Sequence, residues 1–486
     1  MHQHLRTALA TATAAALTGG LLTLAATAPA AAADAVTHPV ADFNGDGIGD
    51  VAYSAPTSTV AGHKYAGNLV VMYGSATGIN GVNRKTINYN TAAVAGTPGT
   101  GDEFGALSAV GDFDDDGYDD LAVTAPWKSV GGHARAGMVT LLWGSPGGLT
   151  GGTTLADPSS AANRQWGQAV AAGDFDGDGK DDLAVGADAA SVWVFKKGIS
   201  RKGVAVARGT VKAPIVAGGG SGPLSLTAGD VTGDHRTDLV VDGYDPKTAQ
   251  QWNANYFIPG TASGLNAAAA VKLAPGVITG IADVNKDGRG DIVTGMSWDP
   301  STGVPGAVTG GKVTIRYGSS SGPAGTTAIS QNTGNVPGGS ETGDGFGSEL
   351  SLGDVNGDGY ADLAVGSWGE DLGTAKDTGA VTVLYGSASG IDTSSGAQYF
   401  DQDTAGVPDT NESNDLFGCE IKLTDVTGDG RADLTVGDCD ENTNGAVFYL
   451  PSNGTKITAT GSREIFASSV GVDADGHPYF GMNAAD

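Results

Sequence analysis

Seven acidic stretches carry the clearest chemistry in this chain. The third reads Asp174-Phe-Asp176-Gly-Asp178-Gly-Lys180-Asp-Asp182, followed by the apolar run Leu183-Ala-Val-Gly-Ala187. Carboxylates at positions 1, 3, 5 and 9, with Gly at position 6 for a positive-φ turn, form the kind of compact oxygen cage that a hard cation such as calcium prefers. A helical calcium loop would place its last carboxylate at position 12. Here the ligands close at position 9 and a short buried strand begins at once, so the loop joins two strands.

The phrase recurs as Asp42, Asn44, Asp46 and Asp50; as Asp112, Asp114, Asp116 and Asp120; and, after the copy quoted, as Asp230, Thr232, Asp234 and Asp238. It returns as Asp283, Asn285, Asp287 and Asp291; as Asp354, Asn356, Asp358 and Asp362; and as Asp425, Thr427, Asp429 and Asp433. The first aspartates lie 70, 62, 56, 53, 71 and 71 residues apart. That period holds about four strands with their turns, so each unit reads as one antiparallel sheet. The expected fold is all-β: a seven-bladed propeller of four-stranded antiparallel blades with calcium-binding loops of the form D-x-D-x-D-G-x-x-D.

Composition agrees with one large repeat domain, because 80 glycines, 19 prolines and aromatics at 7% describe a turn-dense β protein. The formal charge of -28 argues against nucleic acid and anionic membrane surfaces as partners. Of the 54 acidic residues, 23 stand at loop positions 1, 3, 5 and 9, so the acidity speaks first for metal.

Residues 1–33 have the layout of a secretory signal peptide, with Arg6, an Ala/Leu/Thr-rich stretch and Ala31-Ala-Ala33 before Asp34. Thr, Gly and Pro29 interrupt the run, which weakens the alternative of a membrane anchor, and no other segment could span a bilayer. The expectation is a secreted, extracellular chain whose propeller occupies 34–486, with 462–486 completing the last blade or packing against the first.

Each unit reads as inner strand, acidic loop, second strand, variable loop, third strand, Gly-Ser turn and outer strand. Phe104-Gly105, Trp166-Gly167, Phe346-Gly347 and Phe417-Gly418 each stand eight residues before a first aspartate, with Ala55-Pro56, Ala125-Pro126 and Gly186-Ala187 after second strands. The aromatic is expected between blades, with the glycine letting backbones pass closely. In these residues the chain resembles the FG-GAP repeat of the integrin alpha-chain propeller, a repeat also found in secreted bacterial proteins. The resemblance implies calcium ligands at loop positions 1, 3, 5 and 9 plus the position 7 carbonyl, here Ile48, Tyr118, Lys180, Arg236, Arg289, Tyr360 and Arg431. The fourth copy departs from the pattern, with His235 for Gly and Thr232 for a carboxylate or amide, so up to seven calcium sites are implied and the fourth is the incomplete one.

Catalytic signals are thin. Gly318-Ser-Ser-Ser-Gly322 matches a nucleophile-elbow motif in form, but it is the turn that elsewhere reads Gly74-Ser-Ala-Thr-Gly78 and Gly386-Ser-Ala-Ser-Gly390. No His-Glu-x-x-His motif occurs, and His63 and His133 sit in related loops that repetition explains. Acidic pairs for glycoside hydrolysis cannot be singled out among so many carboxylates.

The loops between second and third strands should emerge on the face opposite the acidic loops. They are long near 56–66, 126–136, 298–310 and 368–378, and three of them place Trp127, Trp298 and Trp368 just after the second strand. Each Trp either fills the interblade seam or offers a face to a sugar ring or protein partner. The resulting expectation is a binding or adhesion module for a protein or carbohydrate ligand, without catalysis of its own. The alternative is a secreted hydrolase or lyase acting on polysaccharide or ester substrates.

Cys419 and Cys439 are the only cysteines, in a chain read as exported. If Asp425 and Asp433 face each other across the seventh hairpin, the two cysteines are direct cross-strand neighbours, and a Cys419–Cys439 disulfide is expected.

Overall fold

The computed structural model describes residues 41–485 apart from 161–163, 219–220 and 249–251; the segment read as a signal peptide lies outside the described residues. Branched and small residues dominate the second and third strands, and burial on both faces follows. Asp120–Ala125, Asp182–Ala187, Asp291–Met296, Asp362–Ser367 and Asp433–Asp438 are buried along their whole length. A strand covered on both faces needs neighbours on both faces, which a ring of stacked sheets supplies.

Seven antiparallel sheets are present, six of them four-stranded, with the strands of each sheet in chain order from inside to outside. Blade 2, for example, runs Ser108–Gly111, Asp120–Ala125, Met138–Trp143 and Thr150–Leu155. The inner strands of blades 2 to 7 touch their successors in order around the axis. They enclose a cavity of about 480 Å³ lined by Ser108, Ala171, Thr227, Ser351 and Asn483, among others. The hydrophobic core lies between blades: one cluster joins Leu141 and Trp143 of blade 2 to Trp166, Val185 and Phe195 of blade 3.

Where an aromatic–glycine pair is present it keys the seam; the units of the loops at Asp230 and Asp283 lack it. Phe104, Trp166, Phe346 and Phe417 are at most 1% exposed. Each backs onto the glycine that opens the preceding blade's third strand: Gly67, Gly137, Gly311 and Gly379 would clash there with backbone if they carried a Cβ.

Blade 1 shows how the ring closes. Its own described strands are Val51–Ala55, Asn68–Met72 and Arg84–Ile87. The inner position is taken by the C-terminal segment: Ser54 N–H donates to the Asn483 carbonyl at 2.9 Å, Gly481 N–H to the Ser54 carbonyl at 3.0 Å, and Ala485 N–H to the Ala52 carbonyl at 2.9 Å. The same bonds link Thr124 to Leu107 and Gly105 in blade 2. Phe480-Gly481 is therefore the aromatic–glycine pair of blade 1, displaced to the far end of the sequence. Earlier in the same segment, Arg463–Phe466 forms the outer strand of blade 7.

The expected disulfide is present between Cys419 and Cys439, with Cα atoms 6.1 Å apart. The register assumed for it is corrected. In blade 7 it is Thr424, not Asp425, that faces Asp433, and a bulge between Phe417 and Glu420 shifts the pairing again. The cysteines are not direct partners in the ladder; the bulge turns Cys419 towards Cys439.

Candidate metal loops and binding face

In the third loop Asp174 organises the backbone. Its Oδ1 accepts from the N–H of Gly177 at 2.7 Å and of Asp178 at 3.0 Å, and its Oδ2 accepts from Gly179 N–H at 2.7 Å. Asp178 Oδ1 accepts from Lys180 N–H. The loops that open at Asp42, Asp112, Asp230, Asp283, Asp354 and Asp425 repeat the position 1 bond to the residue at position 6. In the fourth, His235 occupies the glycine place at φ 63° and the loop keeps its form, Thr232 Oγ1 lying 3.4 Å from Asp230 Oδ1.

The position 9 aspartates have a structural role in addition to the one read from spacing. Asp120 accepts from Phe113 N–H at 3.1 Å and from Gly144 N–H at 2.8 Å, clamping the loop to the end of the third strand. Asp50, Asp238, Asp291 and Asp362 do the same. Asp182 and Asp433 each take the third-strand half of the clamp, from Lys197 and Ser452. Burial pushes these carboxyls up, to about 8 for Asp50 and Asp120 and about 7 for Asp182, Asp238, Asp291, Asp362 and Asp433, with neighbouring loop carboxylates adding to the rise.

Two loops draw three carboxylates together. Oxygens of Asp112, Asp114 and Asp120, and likewise of Asp174, Asp176 and Asp182, lie within 4.8 Å of one another. Asp114 Oδ1, Asp176 Oδ1 and Asp182 Oδ2 are buried there without a hydrogen-bond partner. An orphaned buried carboxylate oxygen is what a hard cation satisfies, so these residues fit a calcium-type ion. Where Asn44, Thr232, Asn285, Asn356 or Thr427 stands at position 3, no such triplet gathers among the described residues.

The same two loops receive side-chain cations that sequence reasoning missed. Blade 3 has a long outer hairpin, Ala189–Ser200 with Val204–Lys212. It carries Arg201 back over blade 2, with Nε 2.5 Å from Asp114 Oδ2 and Nη2 2.5 Å from Asp116 Oδ2. Lys196 Nζ lies 2.8 Å from Asp176 Oδ2, and Lys197 Nζ 3.2 Å from Asp178 Oδ2. The available signal was Lys196-Lys197-Gly198 in place of the Gly-Ser turn. Elsewhere that turn is structural: Ser75, Ser145, Ser319 and Ser387 each donate a hydroxyl to the carbonyl three residues on. Ser320, the would-be nucleophile of Gly318–Gly322, is an exposed residue of this turn.

On the opposite face the tryptophans are only partly buried, unlike the seam aromatics. Trp127 is half-buried with the Arg135 guanidinium 5.1 Å above its ring, Trp298 is half-buried, and Trp368 is 39% exposed. They stand on blades 2, 5 and 6, and no ring contact joins them among the described residues.

Fold and loops together define a seven-bladed β-propeller that contains FG-GAP repeats. The FG-GAP repeat model matches residues 39–72, 104–142, 166–195 and 346–384. Phosphatidylinositol-glycan-specific phospholipase D of Rattus norvegicus is 34% identical over 148 residues, 30% of this chain and 17% of that protein. Integrin alpha-PS5 of Drosophila melanogaster is 32% identical over 164 residues, 32% of this chain and 15% of that protein. Integrin alpha-5 of Xenopus laevis is 35% identical over 92 residues, 17% of this chain and 8% of that protein. The chain thus matches less than a fifth of the length of each. A mutant of AofleA from Arthrobotrys oligospora superposes at a TM-score of 0.39 and 13% identity, over 78% of this chain and 95% of that one, too loosely to support an argument.

Proposed function

We propose that this protein is an exported, calcium-stabilised propeller that binds a protein or carbohydrate ligand on the face opposite its acidic loops. The observation that carries the reading is the partial exposure of Trp127, Trp298 and Trp368, on loops held by a rigid ring. Calcium in the acidic loops is supported by the two carboxylate triplets and their orphaned oxygens. Similarity to integrin alpha chains favours a protein ligand. Among the described residues no helix is long and apolar enough to cross a membrane.

The hydrolase or lyase reading draws on the phospholipase name, yet this chain matches only 17% of that enzyme. A glycan array and a pull-down from extracellular matrix extract, run beside a broad esterase and glycosidase screen, separate the two. Binding that Trp368→Ala and Trp127→Ala weaken supports the module. Turnover with no saturable binding on this face overturns it.

A further inference from the structure

Blade 7 holds a second kind of acidic cluster, on the face away from the repeat loops. Oxygens of Asp409, Glu441 and Glu464 lie within 4.8 Å of one another. They come from three elements: the loop between blades 6 and 7, the short turn Glu441–Thr443 after the second strand, and the outer strand Arg463–Phe466. Glu441 is 2% exposed; its Oε2 accepts from Gln402 Nε2 at 2.8 Å, and Asn442 Nδ2 donates to its Oε1. Asp409 Oδ1 accepts from Thr410 N–H at 2.9 Å.

Polar atoms in and around the cluster are buried and unmet. Gln402 is 1% exposed and its Oε1 has no partner. Asp438, three residues before Glu441, is fully buried, its carboxylate met only by the Glu441 backbone N–H; it feels the charges of Glu441, Asp415 and Glu464. Glu464 Oε1 is also unmet, and among the described residues no ion pair reaches any of these groups.

The other blades show what belongs at this spot. Lys128, Glu370 and Glu441 are equivalent, each lying three residues past the end of a second strand and accepting the N–H of the glycine before the third. In blade 2, Lys128 Nζ sits 2.5 Å from Asp102 Oδ2 and 4.3 Å from the centre of the Tyr89 ring, so a covalent cation meets the buried carboxylate. In blade 6, Glu370 bonds Gln331 at 2.7 Å and the Tyr399 side chain. Ladder pairing puts Glu464 where Tyr399 stands, opposite the residue after Val447 and Val381 respectively. Blade 7 thus replaces a hydroxyl donor with a third carboxylate and supplies no side-chain cation.

We propose that Asp409, Glu441 and Glu464, with the free Oε1 of Gln402, bind a divalent hard cation of the calcium class, separate from the repeat loops. The ion ties the interblade loop to the outer strand of the blade that closes the ring. The Cys419–Cys439 bridge, adjoining Asp438 and Glu441, holds the turn in place.

The test is hydrogen exchange on the full chain with and without calcium, read segment by segment, alongside counting of bound calcium by native mass spectrometry. At calcium about ten times the Kd, amides of 439–445 should exchange about tenfold more slowly. Glu464→Gln should abolish that protection and lower the calcium count by one while leaving the loop 174–182 responsive. Unchanged exchange at 439–445 in the unmutated protein overturns the site even where the repeat loops respond. A count that Glu464→Gln and Asp409→Asn leave intact overturns it as well.

Discussion

Replacing Phe480 by alanine tests whether the last residues of the chain close the ring. The side chain is fully buried in a cluster that spans Val51, Tyr53, Val70 and Met72 of blade 1 and Val447, Tyr449 and Ile465 of blade 7. Gly481, next to it, sits so close that a Cβ on Gly437 would lie 2.1 Å from its carbonyl oxygen, which leaves the seam little room to collapse into the cavity. A buried Phe→Ala change of this kind costs about 3–5 kcal/mol. Phe104→Ala is the control, because Phe104 is equally buried in a seam between blades that the chain already links. Both variants should lower the urea midpoint. Only Phe480→Ala should release the Ser54 and Ala485 amides below global unfolding, since little beyond four backbone hydrogen bonds and the Asn483 bonds to the Ser54 hydroxyl then holds residues 480–485. Ser54 amide protection equal to that of the unmutated protein in Phe480→Ala, with Phe104→Ala destabilised as expected, refutes closure by this segment.

Calcium should raise Tm and chelation lower it, and Asp178→Ala should reduce that response more than Asp234→Ala, because loop three gathers a carboxylate triplet and loop four does not. Arg201→Ala removes the cation paired with Asp114 and Asp116; it should tighten calcium binding at loop two while lowering metal-free Tm, and calorimetry showing neither change discounts the competition. Reducing the Cys419–Cys439 bridge, which spans 20 residues, should lower stability by about 3 kcal/mol, and two alkylatable thiols in unreduced protein recovered from the medium contradict the bridge. Burial raises the Asp242 carboxyl from 3.8 to about 8, so the fold loses stability as pH climbs between those values. Asp242→Asn should therefore be neutral below pH 4 and increasingly stabilising up to about pH 8, with a limiting slope of about 1.4 kcal/mol per pH unit; a pH-independent difference in melting rejects the cause.

Blade number, strand order and seam aromatics were legible because they repeat: a glycine that must let backbone pass, or an aromatic that must fill a seam, recurs wherever the geometry does. Closure was legible only in part. Phe480-Gly481 has the motif, but the aspartate that should follow eight residues later is Asp42, at the other end of the sequence, so a reading by spacing cannot connect them. The hairpin register missed by one because the position 9 aspartate pairs with the residue before the loop, as Gly111 with Asp120 and Gly353 with Asp362. Arg201 was out of reach for another reason. It serves a loop 85 residues away in sequence, through a hairpin whose length nothing in the repeat dictates.

The variation among loops follows charge balance. Only the copies beginning at Asp112 and Asp174 keep a carboxylate at position 3, and these are the two that the blade 3 hairpin furnishes with Arg201, Lys196 and Lys197. The other five replace that carboxylate with Asn or Thr, which lowers self-repulsion, and in three of them the position 7 arginine, Arg236, Arg289 or Arg431, pairs with the position 5 aspartate. The same logic separates the seams on the far face: Lys128 balances Asp102 in blade 2, Tyr399 donates to Glu370 in blade 6, and Glu464 adds a third carboxyl to the cluster in blade 7. A buried carboxylate without a donor or counter-ion is unfavourable by several kcal/mol. Where the chain provides no cation of its own, either a proton or a bound cation relieves it, and the site proposed at blade 7 is the second case.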